Sequence, residues 1–115
     1  MNRLVSGTGA ALLALVPALA AQAGDCTGHV VDVRPVLQYD HMRGEGFLAV
    51  RAGPGAGFEQ TGELYRGDEI AVHDRQGNWY AVTCMAGQCM EPLWGPPMPG
   101  GWVYGRYLRL GGVCP

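Results

Sequence analysis

The chain contains no lysine, and its one serine, Ser6, lies near the start. Past residue 23 this excludes Ser-His-Asp and Ser-Lys nucleophiles and Schiff-base chemistry. The eight basic residues are therefore all arginines, set singly among ten acids for a formal net charge of −2. No basic footprint for nucleic acid or for an anionic membrane surface results. Segments with helical periodicity are also missing, and so is any apolar run of the roughly 20 residues that cross a bilayer. The longest such run, Ala10 to Ala20, follows Arg3 and precedes Ala21-Gln22-Ala23, a small-x-small cleavage pattern. Residues 1–23 are expected to be a cleaved signal peptide, with export to the periplasm or beyond. Cys26 does not make a lipoprotein, because Asp25 and Ala23 occupy the places that lipidation needs small and large apolar residues to fill. By length, residues 24–115 form one domain.

Four cysteines remain after cleavage: Cys26, Cys84, Cys89 and Cys114. An even count in a small exported domain reads as two disulfides, with three pairings open. Position favours Cys84–Cys89 around a tight turn, with Gly87 free to take a positive φ, and Cys26–Cys114 joining the chain ends. By loop entropy the long bridge contributes ~4–5 kcal/mol and the short one ~2 kcal/mol. The alternative, Cys26–Cys84 with Cys89–Cys114, totals about the same, so energy does not choose between them.

What fills the chain is a series of short strands and turns. His29 to Val33 alternates and is expected to be a first strand, stopped or set on an edge by Pro35. Residues 37–46 have no period and read as a loop. Leu48 and Val50 share a face of the next strand, Phe47 to Arg51. Gly53-Pro54-Gly55 suits a type II turn. Thr61–Tyr65 reads as a strand, then one with Ile70 and Val72 inward, a hairpin at Gln76-Gly77-Asn78, and a strand with Tyr80 and Val82 on one face. Residues 85–100 form a second long loop rich in Pro and Gly. Trp102–Tyr104 closes the series, with a helical turn from Gly105 to Leu108. The pattern implies an all-β barrel of five to six strands, partly open, with two long loops.

These segments resemble the bacterial SH3 (SH3b) family. Its Leu-x-Val-Arg strand and Gly-Pro turn are matched by Leu48-Ala49-Val50-Arg51 and Gly53-Pro54. Its Gly-x-Leu and Gly-Asp elements are matched by Gly62-Glu63-Leu64 and Gly67-Asp68. Gly77-Asn78-Trp79-Tyr80-Ala81-Val82 follows, then Gly101-Trp102-Val103 and Tyr107-Leu108. The match lies mainly in 47–108. The loops at 37–46 and 85–100 and the cysteines depart from it. The resemblance implies a small SH3-like barrel that binds rather than transforms its ligand. It further implies peptidoglycan or its peptides as a ligand class for many members.

No catalytic residues are expected. Cys with His is the remaining nucleophilic pair, and disulfides would consume it. Asp40, Glu45 and Glu59 sit near loops with nothing to mark a dry carboxylate pair. The cluster at 53–57 lacks the lysine and helix of a phosphate loop. His29, His41 and His73 have no metal-ligand spacing, so neither metal nor cofactor is expected. Aromatics carry the stronger signal. Trp79 and Trp102 start neighbouring strands on the face opposite Val82 and Val103. With Tyr104, and help from Trp94, they offer flat apolar surface for sugars or peptides; alternatively one or both rings cap the barrel as core. Pro96 and Pro99 define a Pro-x-x-Pro stretch of expected polyproline II form. Two function classes follow: a non-catalytic envelope module contacting peptidoglycan or a peptide through the aromatic surface, or a scaffold subunit binding a periplasmic protein. In the second, the loops 37–46 and 85–100 are the surface, with Tyr39, His41, Trp94, Pro96 and Pro99 the contacts.

Overall fold

The computed structural model describes residues 25–115, so the expected signal peptide at 1–23 lies outside the described residues. Seven strands follow in order: β1 Cys26–Val30, β2 Leu48–Arg51, β3 Gln60–Leu64, β4 Glu69–Gln76, β5 Trp79–Ala86, β6 Gly100–Tyr104 and β7 Leu108–Gly112. All described pairings are antiparallel, in one sheet ordered β3-β2-β6-β5-β4-β1-β7. The two end strands, β3 and β7, are not hydrogen-bonded to each other, which leaves the barrel open on that side. Among the described residues no helix is long and apolar enough to cross a membrane.

Strand alternation builds the core. Leu48 and Val50 of β2, Leu64 of β3, Ile70 and Val72 of β4, Val82 of β5 and Val103 of β6 meet in one buried cluster. All but Leu64 are inward positions that the period-2 pattern marks. Each fully buried aliphatic contributes roughly 2 kcal/mol. A core this small leaves a large share of stability to cross-links. The disulfides are Cys26–Cys114, which ties β1 to the chain end across 88 residues, and Cys84–Cys89, which spans 5.

Local chemistry explains the turns. Gly77-Asn78 joins β4 to β5, and Gly77 takes φ 60, as a two-residue primed hairpin requires. Register shifts between Val72 and Asp74. That bulge turns the tip of β4 so that Asp74 pairs with Ala81 while Val72 still faces the core opposite Val82.

Four details differ from the sequence reading. The first strand lies at Cys26–Val30 rather than His29–Val33, since its partners β4 and β7 pair with Cys26 to Val30. Gly55 has no positive φ, and its N–H donates to the Gly53 carbonyl at 2.9 Å. The turn is thus a three-residue one around Pro54 and not type II. Residues 37–46 hold a 3-10 turn at Val36–Gln38 and a small bridge between Asp40 and Glu45. A seventh strand, β7, was not anticipated; it follows the Gly105–Tyr107 turn and pairs with β1.

Candidate functional site

Cross-strand register places the aromatic residues. Trp79 pairs with Tyr104, Ala81 with Trp102, and Trp102 with Arg51. Directly opposed residues share a face, so Trp79, Trp102, Tyr104 and Arg51 lie on the outer face, away from Val82 and Val103. The Trp79 and Tyr104 rings are 5.4 Å apart at an interplanar angle of 53°, and Tyr107 meets Tyr104 edge-on at 6.2 Å. These three rings line a groove of about 370 Å³.

The other wall comes from β2 and the loop before it. Phe47 and Arg51 line it, as do Asp32, Arg34 and Glu45. Arg51 donates to the Phe58 carbonyl at 3.0 Å, and Arg34 to the Gln38 amide oxygen at 3.0 Å. Trp102 sits one row from Tyr104 and does not line the groove. Its ring is half-buried, neither core nor groove wall.

Trp94 lies elsewhere, and the two long loops meet where it does. Its ring stacks on His41 at 4.4 Å, and Phe47 stacks with the same imidazole at 5.7 Å. Beneath them is Glu63, fully buried although it occupies an outward position of β3 opposite Ala49. His41 Nδ1 lies 2.6 Å from Glu63 Oε2, and the Tyr65 hydroxyl donates to Oε1 at 2.6 Å. Leu93 N–H in turn donates to the Tyr65 oxygen at 2.8 Å. Burial and then the Glu63 carboxylate raise the Tyr65 hydroxyl well above its ordinary range. Tyr39 packs on Phe47 and Tyr65 at 5.8 and 6.0 Å. Its hydroxyl is buried beside Glu63 yet meets no acceptor in hydrogen-bonding geometry. Burial foremost, with Glu63 and Asp40, pushes it up to about 12.

The loop after β5 is held from within. Asp68 is buried; it accepts the Tyr65 N–H at 2.7 Å, and the N–H groups of Cys89 and Gln88 also point to it. Burial pushes its carboxyl up, and those three donors oppose the rise. Gly87 has φ 110, and a Cβ there would lie 2.3 Å from Asp68 Oδ1, so glycine is required on both counts. The Pro96–Pro99 stretch is not continuous polyproline II. Met98 has φ 51, which breaks that conformation, and Pro99 is buried against Gly62. Only Pro96 of the pair remains exposed.

Among the described residues no three His, Cys, Asp or Glu side chains converge as a metal site, and all four cysteines are bonded. The outer face sets apolar ring surface beside charged side chains. Sequence reasoning brought Trp79 and Tyr104 together and missed Phe47, Arg51 and Tyr107 as groove wall. Arg51 was legible from alternation, because Leu48 and Val50 point inward and Arg51 must point out. Glu63 and Asp68 carried no local signal for burial.

Residues 46–88 match the family model of the bacterial SH3 domain, from the start of β2 to the turn that follows β5. No curated protein and no solved structure matches the chain. That match and this open antiparallel barrel support a bacterial SH3 domain over residues 46–88.

Proposed function

We propose that the protein is an exported, non-catalytic binding module of the cell envelope, and that it contacts peptidoglycan or a peptide through the Trp79–Tyr104 groove. Bacterial SH3 domains are generally binding modules. The observation that carries the reading is the pair of rings 5.4 Å apart on the outer face, lining one wall of a groove. Half-buried aromatic faces with polar tips suit peptides and sugars. Two disulfides fit an oxidising compartment, in keeping with export by the signal peptide at 1–23. Trp102 extends the aromatic surface beside the groove. The test is co-sedimentation of the oxidised domain with purified sacculi, parent beside Trp79→Ala. Saturable pelleting lost in the variant is the expected result. Pelleting at equal affinity would remove the groove as the site.

A second reading has one specific observation behind it. The loops 37–46 and 85–100 are joined by the His41–Trp94 stack, with Leu93, Met98 and Pro96 exposed nearby in sequence. On this reading the module is a scaffold subunit for a periplasmic protein, and Trp94 matters more than Trp79. Tyr39 and Pro99 then support the surface from below, since both are largely covered. Failure to pellet with sacculi, together with one dominant cross-linked protein partner lost in Trp94→Ala, would favour it.

A further inference from the structure

We infer that the groove selects a peptide end carrying both an amine and a carboxylate, rather than a neutral glycan. This rests on the reading of the groove as a wall-binding site.

Four charged side chains line the same groove as Trp79 and Tyr104: Asp32, Glu45, Arg34 and Arg51. Among the described residues the ion pairs are His41–Glu63 and Arg43–Asp40, so none of those four is in one. Arg34 and Arg51 each make one neutral hydrogen bond, to the Gln38 amide and the Phe58 carbonyl. A guanidinium has five N–H donors, so each keeps donors for an incoming oxyanion. Asp32 and Glu45 make no side-chain hydrogen bond among the described residues, so their oxygens are open to an ammonium. The two signs balance at two and two.

A ligand entering this groove displaces water from these groups, and the displacement is unfavourable unless hydrogen bonds replace it. Neutral sugar hydroxyls replace it only in part. An ammonium against Asp32 or Glu45 and a carboxylate against Arg34 or Arg51 replace it with charge-assisted bonds. The Trp79 and Tyr104 faces then take the aliphatic stem that leads to the charged end, and an ammonium beside an aromatic face gains further attraction. An amino acid side chain that ends in both groups presents this combination.

The probe is a tripeptide ending in diaminopimelate, titrated into the oxidised domain by calorimetry. Three comparisons accompany it: the same peptide acetylated on the side-chain amine, the same peptide amidated on the side-chain carboxylate, and chitotetraose. The expected result is about a tenfold loss for each cap, the scale of one charge-assisted hydrogen bond, with no binding of chitotetraose. Asp32→Asn with Glu45→Gln should abolish discrimination against the acetylated peptide. Arg34→Gln with Arg51→Gln should abolish discrimination against the amidated one. A thermal melt of each double variant checks folding. Equal affinity of capped and free peptide, chitotetraose binding as tightly as the peptide, or no peptide binding at all overturns the inference. In those cases sacculus pelleting that still depends on Trp79 leaves the groove reading standing. Pelleting that is indifferent to Trp79→Ala removes the groove reading and this inference with it.

Discussion

Glu63, on the outer face of β3, is fully buried and lies 2.6 Å from Nδ1 of His41. An outward strand position is buried here because two distant loops cover it, one bringing His41 and the other bringing Leu93 and Trp94. The carboxylate is the polar centre of a second layer laid on the outside of the barrel. Phe47 stacks with His41 and also lines the groove, so this layer sets one groove wall.

Removing the carboxylate should release that layer. Glu63→Ala takes the partner from His41 and from the Tyr65 hydroxyl, for a cost of roughly 2–4 kcal/mol. Denaturant unfolding reads the loss, and the Leu93 amide should exchange with solvent faster, because its acceptor is no longer held. If the unfolding midpoint and the Leu93 exchange rate both match the parent, Glu63 is not the pin.

Tyr39 yields a prediction about alkaline pH. Its folded value is raised from 10.0 to about 12, chiefly by burial. The folded state therefore holds the proton more tightly than the unfolded chain. The associated stability is complete below pH 10 and is lost as pH rises from there toward 12. Tyr39→Phe deletes a buried hydroxyl that lacks a partner, so it should leave stability at pH 7 unchanged or slightly higher. It should also flatten the decline above pH 10, measured as urea midpoints across pH 8 to 12. Tyr65 is raised in the same sense, so some decline will persist. An unaltered pH profile in the variant would contradict the assignment to Tyr39.

The inward faces of β2, β4 and β5 were legible because apolar residues alternate over strands bounded by Gly or Pro turns. Trp79 and Tyr104 followed from the same alternation, read on the opposite face. Register was less legible. β1 is fixed by its partners on both sides, and the weak alternation of His29 to Val33 pointed three residues too late. β7 is Leu108-Arg109-Leu110 followed by two glycines, too short and too glycine-rich to declare itself without β1 beside it. Glu63 reads as an ordinary solvated acid, since nothing within several residues shows that loops from positions 41 and 93 will cover it. Burial of that kind is a long-range property, carried by contacts between segments far apart in sequence.

The two disulfides should differ in their contribution. Replacing Cys26 and Cys114 by alanine opens a link across 88 residues, with a cost of ~4–5 kcal/mol from chain entropy. Replacing Cys84 and Cys89 opens one across 5, worth ~2 kcal/mol on the same account. Thermal melts of the two double variants under oxidising conditions rank them. A larger loss for the short bridge would mean that packing of Cys89, which is fully buried, outweighs loop closure.

Asp68 and Gly87 form one contact seen from its two sides. The carboxylate gathers N–H groups from Tyr65, Cys89 and Gln88, which fastens the loop after β5 to the turn before β4. It reaches them because Gly87 has no side chain in the way; a Cβ would sit 2.3 Å from Oδ1. Asp68→Ala should destabilise by roughly 2–4 kcal/mol, having removed an acceptor from several buried donors. Gly87→Ala should cost about 1–3 kcal/mol through its φ of 110 and the clash. The double variant removes the carboxylate that the new methyl would strike, so its loss should be smaller than the two single losses added together. Strict additivity in denaturant unfolding would show that Gly87 is required by its backbone conformation alone and that the close approach to Asp68 carries no energy.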